Sequence, residues 1–388
     1  MITIKNLSKS ILGEPLFEEV SFTLHKGDKV GLVGPNGSGK STLLKIVLGE
    51  VESDGGKILI ENERIGYLSQ DLSKYADPDF LKLSGGQKTK FVLNKILDSN
   101  PTVLLLDEPT NHLDWRGLGW LEEVVREFKG AVLIVSHDRR LLDNSVNKII
   151  EIDAVNHKFN EYSGGYTEYA MEKERKLAIW EEDYKHQQRE KRRMELWLAL
   201  KRQEAHVHPD PAKGKKIRAM EKRMQREIFD QEIKKPRNQK KITLDLKGET
   251  ASGKLILRVK DIIKNFPDKR LLWKVGFELR GQERVLLVGD NGSGKTTLLK
   301  IITGEATPDS GEIKIGEKVR FGYFSQEHEN LDPNKTVIDE FLSADRLITT
   351  KSTRAILGSF RFGEQNAFKK VSSLSLGERV RLIFAKLT

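Results

Sequence analysis

The chain has 388 residues, 67 Lys and Arg against 57 Asp and Glu, and no cysteine. That length predicts two domains or slightly more, each with room for its own core. The missing cysteine excludes disulfide and thiol chemistry and fits a cytoplasmic protein, and no run of about 18 apolar residues is present to span a bilayer. The basic excess is local: residues 171–245 hold 22 Lys and Arg against 14 Asp and Glu, and the rest of the chain holds 45 against 43. A basic segment between neutral lobes suits a polyanion, with a solvated helical face as the plainer alternative.

In chain order, Ile2–Leu7 and Val30–Val33 read as strands, and the amino terminus as strand rather than signal peptide. Gly34-Pro35-Asn36-Gly37-Ser38-Gly39-Lys40-Ser41 follows, and a helix is expected over Thr42–Leu48. Glycines between a strand and a helix let backbone N–H groups curl around β- and γ-phosphates. Lys40 neutralises charge there and Ser41 can ligate Mg²⁺. Gln70 closes the phrase Gly66-Tyr67-Leu68-Ser69-Gln70. Leu83-Ser84-Gly85-Gly86-Gln87 opens a helix expected through Lys88–Leu97, and a serine with glycine N–H groups at a helix start makes an anion site. An ordinary N-cap is the alternative.

The apolar strand Leu104-Leu105-Leu106 delivers Asp107 and Glu108 to its carboxyl end. Asp107 is expected to hold Mg²⁺ through water, and Glu108 to orient or deprotonate the attacking water. A second apolar strand, Val132–Val135, leads to His137, placed to meet the γ-phosphate end. A lone His is more often structural. Here its strand is expected beside the carboxylate strand, where parallel sheets bind ligands at their carboxyl ends.

Residues 166–232 are rich in helix formers. Leu177, Trp180, Tyr184, Gln187, Lys191, Met194 and Leu198 follow a 3-4 spacing, as do Ile217, Met220, Met224 and Ile228. His208-Pro209-Asp210-Pro211 interrupts them, predicting an antiparallel hairpin whose first helix runs about 40 residues, on the order of 60 Å. A polar, extended return is expected over 236–253, and His206 with His208 lacks the further ligands of a metal site.

The glycine loop then recurs. Lys40 and Lys295 are 255 residues apart, and Gly289, Asn291, Gly292, Gly294, Lys295, Thr296 and Thr297 repeat the first arrangement, with Gln326 matching Gln70. Gln70 to Ser84 spans 14 residues but Gln326 to Ser375 spans 49, leaving room for a helical subdomain in the second copy. The first copy's offsets put a second carboxylate pair and a second His beyond Thr388, so the second copy is expected to be incomplete.

These motifs resemble those of ATP-binding cassette ATPases. The tandem arrangement, Asn111-His112-Leu113-Asp114, the charged linker and Tyr162-Ser163-Gly164-Gly165-Tyr166 resemble the ABC-F class. The resemblance implies an α/β fold of two P-loop NTPase cassettes, 1–165 and 254–388, joined by a basic helical hairpin over 166–253. It implies two ATP molecules with Mg²⁺ sandwiched between the cassettes. One site would use Gly34, Asn36, Gly37, Gly39, Lys40, Ser41, Thr42, Gln70, Asp107, Glu108 and His137 with Ser375, Gly377 and Glu378. The other would use Lys295, Thr296 and Gln326 with Ser84, Gly85, Gly86 and Gln87. Ser41, Thr296, Gln70 and Gln326 would join Asp107 around the metal ions.

Leu376 stands where that signature usually has a glycine. The adenine platform would be Phe266 in the second copy; the matching place in the first is Ile11, with Phe17 as the substitute. The class implies ATP hydrolysis on the ribosome, the linker entering near the tRNA exit region, in translation or antibiotic resistance. The short Gln70–Ser84 segment looks like the resistance branch, and the brief tip at 206–213 does not. A DNA-associated ATPase, a transporter motor and an inert product are the alternatives.

Overall fold

The computed structural model describes residues 1–11, 13–72, 80, 83–111, 113–207, 211–226, 233, 235, 253–267, 269–317, 319, 321–324, 331–343, 350–363 and 366–387. Two compact units divide it, Met1–Asn238 and Gln239–Thr388.

The first unit opens with β1 (Ile2–Ile11), β2 (Glu14–Leu24), β3 (Lys29–Val33), α1 (Lys40–Val47), β4 (Gly55–Ile60) and β5 (Ile65–Leu68). It continues with α2 (Gly85–Asp98), β6 (Val103–Asp107), α3 (Trp115–Glu127), β7 (Ala131–Val135), α4 (Arg139–Ser145), β8 (Lys148–Asp153) and β9 (Lys158–Ser163). Strands β2-β1-β4 form an antiparallel sheet, and β5-β6-β7-β3-β8-β9 form a second sheet, parallel except for the β8–β9 pair.

Strands β3, β6 and β7 are almost wholly apolar and buried along their length. Such runs need both sheet faces covered. Alternate residues divide between the faces. Val103, Leu105, Leu133 and Val135 join Leu43 and Leu44 of α1 and Phe17 of β2. Leu104, Leu106, Val132 and Ile134 join Leu93 of α2 and Leu121 of α3. Each such side chain contributes roughly 1.5–3 kcal/mol, so this two-faced core fixes where β3, β6 and β7 end. The carboxyl ends of these neighbouring parallel strands lie side by side, with Asp107 level with Val135.

Helix α5 (Tyr166–Val207) runs 42 residues, roughly 60 Å. Pro211 is the first residue of α6 (Pro211–Met224), where its missing N–H costs nothing. Met194 and Leu198 pack on Met224, with Trp197, Ile217 and Met220 alongside. Arg202 pairs with Glu221, and Gln187 Oε1 accepts from the Ile233 N–H at 2.8 Å, so the two arms of the hairpin run antiparallel. Among the described residues, this apolar cluster lies on the far part of α5, at Met194, Trp197 and Leu198. His208, Ile228 and nearly all of the expected return lie outside the described residues.

The second unit contains β10 (Leu255–Phe266), β11 (Lys269–Arg280), α7 (Lys295–Thr303), β12 (Ser310–Ile315), α8 (Val337–Leu342), α9 (Thr350–Ser359) and α10 (Leu376–Leu387). Its antiparallel sheet has the order β11-β10-β12, matching β2-β1-β4. The span between Gln326 and Ser375 supplies α8 and α9, whose Val337, Phe341 and Leu357, with Phe360 just after α9, share a core with Leu382 of α10.

Residues 283–290 adopt no strand, and Val285, Leu286 and Val288 are 64, 84 and 74% exposed. Their counterpart β3 is held on both sides, by β7 and β8. Among the described residues of the second unit, no strand pairs with 283–290. The apolar pattern of a central strand is present without the ladder that would bury it.

Candidate nucleotide site

The first glycine loop links the end of β3 to α1. Gly39 caps α1 at φ 95°, a left-handed conformation that disfavours a side chain. The Ser38 N–H donates to the Pro35 carbonyl at 3.2 Å, and the Leu43 N–H to the Gly39 carbonyl at 2.8 Å. A Cβ on Gly39 would meet Leu16 at 3.1 Å and Phe17 at 3.2 Å. Phe17 is fully buried beneath the loop, edge-on to Phe159 at 5.5 Å. It floors the phosphate loop and has no face for adenine, which overturns its expected stacking role. Ile11 and Phe266, at the two other expected positions, are 48 and 51% exposed. Gly39→Ala is expected to cost about 1–3 kcal/mol through backbone strain and to weaken binding of a fluorescent ATP analogue. An unchanged melting curve and titration would show that the loop tolerates the side chain.

Lys40 folds over the loop, donating to the carbonyls of Gly34 at 2.9 Å and Pro35 at 3.1 Å. Burial lowers its pKa, and the carboxylates of Glu108 and Asp107 oppose that. Ser41 and Thr42 are half-buried in the first turn of α1, and Asn36 and Gly37 form the exposed tip.

Asp107 ends β6 and is 3% exposed. Burial raises its pKa, while the Ser41 hydroxyl and Lys40 hold it down. Asp107 Oδ1 and Ser38 Oγ are buried without a hydrogen-bond partner among the described residues. Buried oxygens left unpaired are costly and call for a partner. Oxygen donors beside a phosphate loop fit Mg²⁺, which takes one or two protein ligands with phosphate and water oxygens.

Glu108 sits at φ 48°, a strained setting for a side chain of its size, and its N–H donates to the Val135 carbonyl at 2.9 Å. That bond ties it to the neighbouring strand and turns its carboxylate toward His137, with Oε1 3.3 Å from Nε2. Burial pushes the Glu108 pKa up to about 6, against Lys40 and a backbone hydrogen bond from His137. Burial and then Lys40 lower the pKa of His137, so the imidazole is neutral near pH 7 and able to donate to the carboxylate. Gln70 follows β5, the strand beside β6, and is exposed.

These elements bring Gly34, Lys40, Ser41, Asp107, Glu108 and His137 together. Ser84, Gly85, Gly86 and Gln87 stand apart at the start of α2, where their hydrogen bonds close on one another. The Ser84 N–H donates to Gln87 Oε1 at 2.9 Å, and the Gln87 N–H to Ser84 Oγ at 3.4 Å. Ser375 and Glu378 repeat that box at the start of α10, with Leu376 and Gly377 between them. The second glycine loop keeps the geometry of the first. Gly294 caps α7 at φ 96°, and Lys295 donates to the carbonyls of Gly289 and Asp290, each at 2.8 Å. Asn291 and Gly292 form its tip, with Thr296 and Thr297 in the first turn of α7. Gln326 and His112 lie outside the described residues.

Two features escaped the motif reading. Ser38 reads as loop filler beside its glycines. Glu151 is a buried carboxylate that interrupts the apolar run Ile149-Ile150-Glu151-Ile152 of β8, which is the signal that could have found it. It lies level with Val33, the last residue before the loop. Tyr169 Oη donates to Glu151 Oε1 at 3.0 Å, Tyr162 Oη donates to Oε2 at 3.3 Å, and Lys173 pairs with Oε1. Tyr169 and Lys173 belong to α5, so this carboxylate fastens the root of the hairpin to the sheet.

A family model described as ABC transporter matches residues 17–76 and 272–388, and its extension, described likewise, matches 152–245. The ATP-binding protein Uup of Escherichia coli is 30% identical, across 100% of this chain and 71% of its own length. The ribosome protection protein VmlR of Bacillus subtilis is 28% identical over 98 and 75%. ABC transporter F family member 2 of Arabidopsis thaliana is 29% identical over 99 and 68%. No helix among the described residues is long and apolar enough to cross a membrane. With paired glycine loops, a carboxylate pair at a parallel strand's end and a hairpin between the copies, the chain belongs to the ABC-F class of ATP-binding cassette proteins.

Proposed function

We propose that this protein binds and hydrolyses ATP and acts on the ribosome, reached through its basic hairpin. The observation that carries the catalytic half is the Glu108 carboxylate, aimed at His137 beside Lys40 and an unpartnered Asp107 oxygen. Asp107, Ser41 and Gln70 would hold Mg²⁺, which screens phosphate charge. Glu108 takes the proton of the attacking water, and His137 positions that carboxylate and meets the γ-phosphate. Ser375, Gly377 and Glu378 complete this nucleotide site when the cassettes pair on ATP; Ser84 to Gln87 serve the loop of Lys295, Thr296 and Gln326. The ribosome half is supported by the likeness to VmlR and by the surplus of Lys and Arg in 171–245. A polyanion held by that surplus is released as salt rises. The reading places the protein in the cytoplasm. Co-sedimentation with ribosomes is expected with ATP and not with ADP, and Glu108→Gln is expected to trap the complex. Equal pelleting in both nucleotides overturns the ribosome assignment.

A further inference from the structure

The outer strands β2 and β11 are the same backbone carrying opposite chemistry. In β2, Pro15 pairs with Ser10, Phe17 with Lys9 and Val20 with Leu7. In β11, Arg270 pairs with Asn265, Leu272 with Lys264 and Val275 with Ile262. Both strands therefore bulge at the same two places, and the second bulge puts Glu19 at φ 49° and Lys274 at φ 50°. The inward residues do equal work. Leu16 and Phe17 floor the first glycine loop, and Leu271 and Leu272 floor the second.

The outward residues are inverted. Residues 14–19 carry Glu14, Glu18 and Glu19 and no cation, whereas 269–274 carry Lys269, Arg270 and Lys274 and no carboxylate. Trp273 replaces Glu18 and is 53% exposed. The Arg270 guanidinium stacks over its ring at 4.0 Å from the centroid, and the Lys274 ammonium lies at 5.7 Å. Lys269 donates to the Gly292 carbonyl at 3.1 Å and remains exposed. In the first unit the β8–β9 turn lies against this edge, with the Glu18 N–H donating to the His157 carbonyl at 2.8 Å, yet Glu18 and Glu19 stay exposed. The bulge points these positions outward whether or not a turn is present.

We propose that the β11 edge is a second RNA contact, distinct from the hairpin, which takes an unpaired nucleotide on Trp273 and its flanking phosphates on Arg270, Lys274 and Lys269. Trp273 is 53% exposed and carries the Arg270 guanidinium on its ring, and an unpaired base stacked on such an aromatic or guanidinium plane next to cations is the chemistry of single-stranded recognition. A duplex offers no free base. The choice of RNA over DNA rests on the ribosome reading; the stacking contact does not.

The test titrates the purified full chain against a labelled RNA hairpin with an unpaired loop, a blunt RNA duplex, a DNA hairpin and anionic vesicles, read by anisotropy and flotation. Trp273→Ala is expected to weaken loop binding roughly tenfold and duplex binding less than about twofold. The variant K269E/R270P/W273E/K274E installs the first copy's residues on the same backbone. It is expected to melt as the parent does and to lose the loop preference. Its salt slope is expected to be shallower by about one for each of the three cations removed. Loop binding by Trp273→Ala equal to the parent, equal binding of the DNA hairpin, or vesicle binding in place of RNA overturns the proposal. Loss of loop binding in Trp273→Ala with no ATP-dependent ribosome pelleting of the parent keeps this contact and removes the ribosome reading.

Discussion

Glu108→Gln is expected to cut ATP turnover by a factor on the order of 10²–10⁴ while ATP binding persists. The amide keeps the shape that the φ 48° backbone presents and loses only the capacity to accept a proton. Parent kcat/KM is expected to fall on the acid side as pH drops through about 6, where Glu108 takes up its proton. The substitution should also stabilise the fold. Burial raises the carboxyl pKa from 4.5 to about 6, so the folded chain binds this proton more tightly than the unfolded chain. Stability is thus lost as pH rises from about 4.5 through about 6, by at most about 2 kcal/mol. The glutamine variant is expected to out-melt the parent at pH 7 and to match it near pH 4. Full turnover in the variant, or an activity profile flat through pH 6, refutes the role given to Glu108.

Glu151→Ala is expected to have the largest effect on stability, about 3 kcal/mol, read as a lower urea midpoint. Two buried tyrosine hydroxyls lose their acceptor at once, and each orphaned group costs about 1–3 kcal/mol. Lys173, 41% exposed, recovers water and adds little. Burial and then the Glu151 charge raise the Tyr162 pKa to about 12 and lift that of Tyr169 as well, so both phenols remain donors at every working pH. Tyr169→Phe removes one bond and is expected to cost about 1 kcal/mol. If Glu151→Ala unfolds at the parent midpoint, the carboxylate is not what fastens α5 to the sheet.

The parts legible in the sequence are those written locally. The strand, glycine loop and helix around Lys40 follow from adjacent residues, as do the capped start of α2 and the apolar run that ends in Asp107. What stayed hidden depends on residues distant in the chain. Phe17 reads as a substitute adenine platform until Gly39 and Phe159 close over it. Glu151 becomes an anchor only when α5 brings Tyr169 and Lys173 back to β8. Val285–Val288 has the composition of a central strand, but burial belongs to the ladder, and composition does not reveal whether neighbours exist. The stripe on α5 likewise shows which residues could pack, and only the partner helix shows that Met194 and Leu198 meet Met224.

The anchorage at Glu151 has a mechanical consequence. It grips α5 within its first turns, next to the strand that ends in the phosphate loop, and the remaining helix extends roughly 50–57 Å from there. Each degree of rotation at that root sweeps the distant tip through roughly 1 Å, by the geometry of a rod of that reach. Sub-ångström adjustments at the sheet are thereby geared up to distances comparable with the spacing between nucleotides.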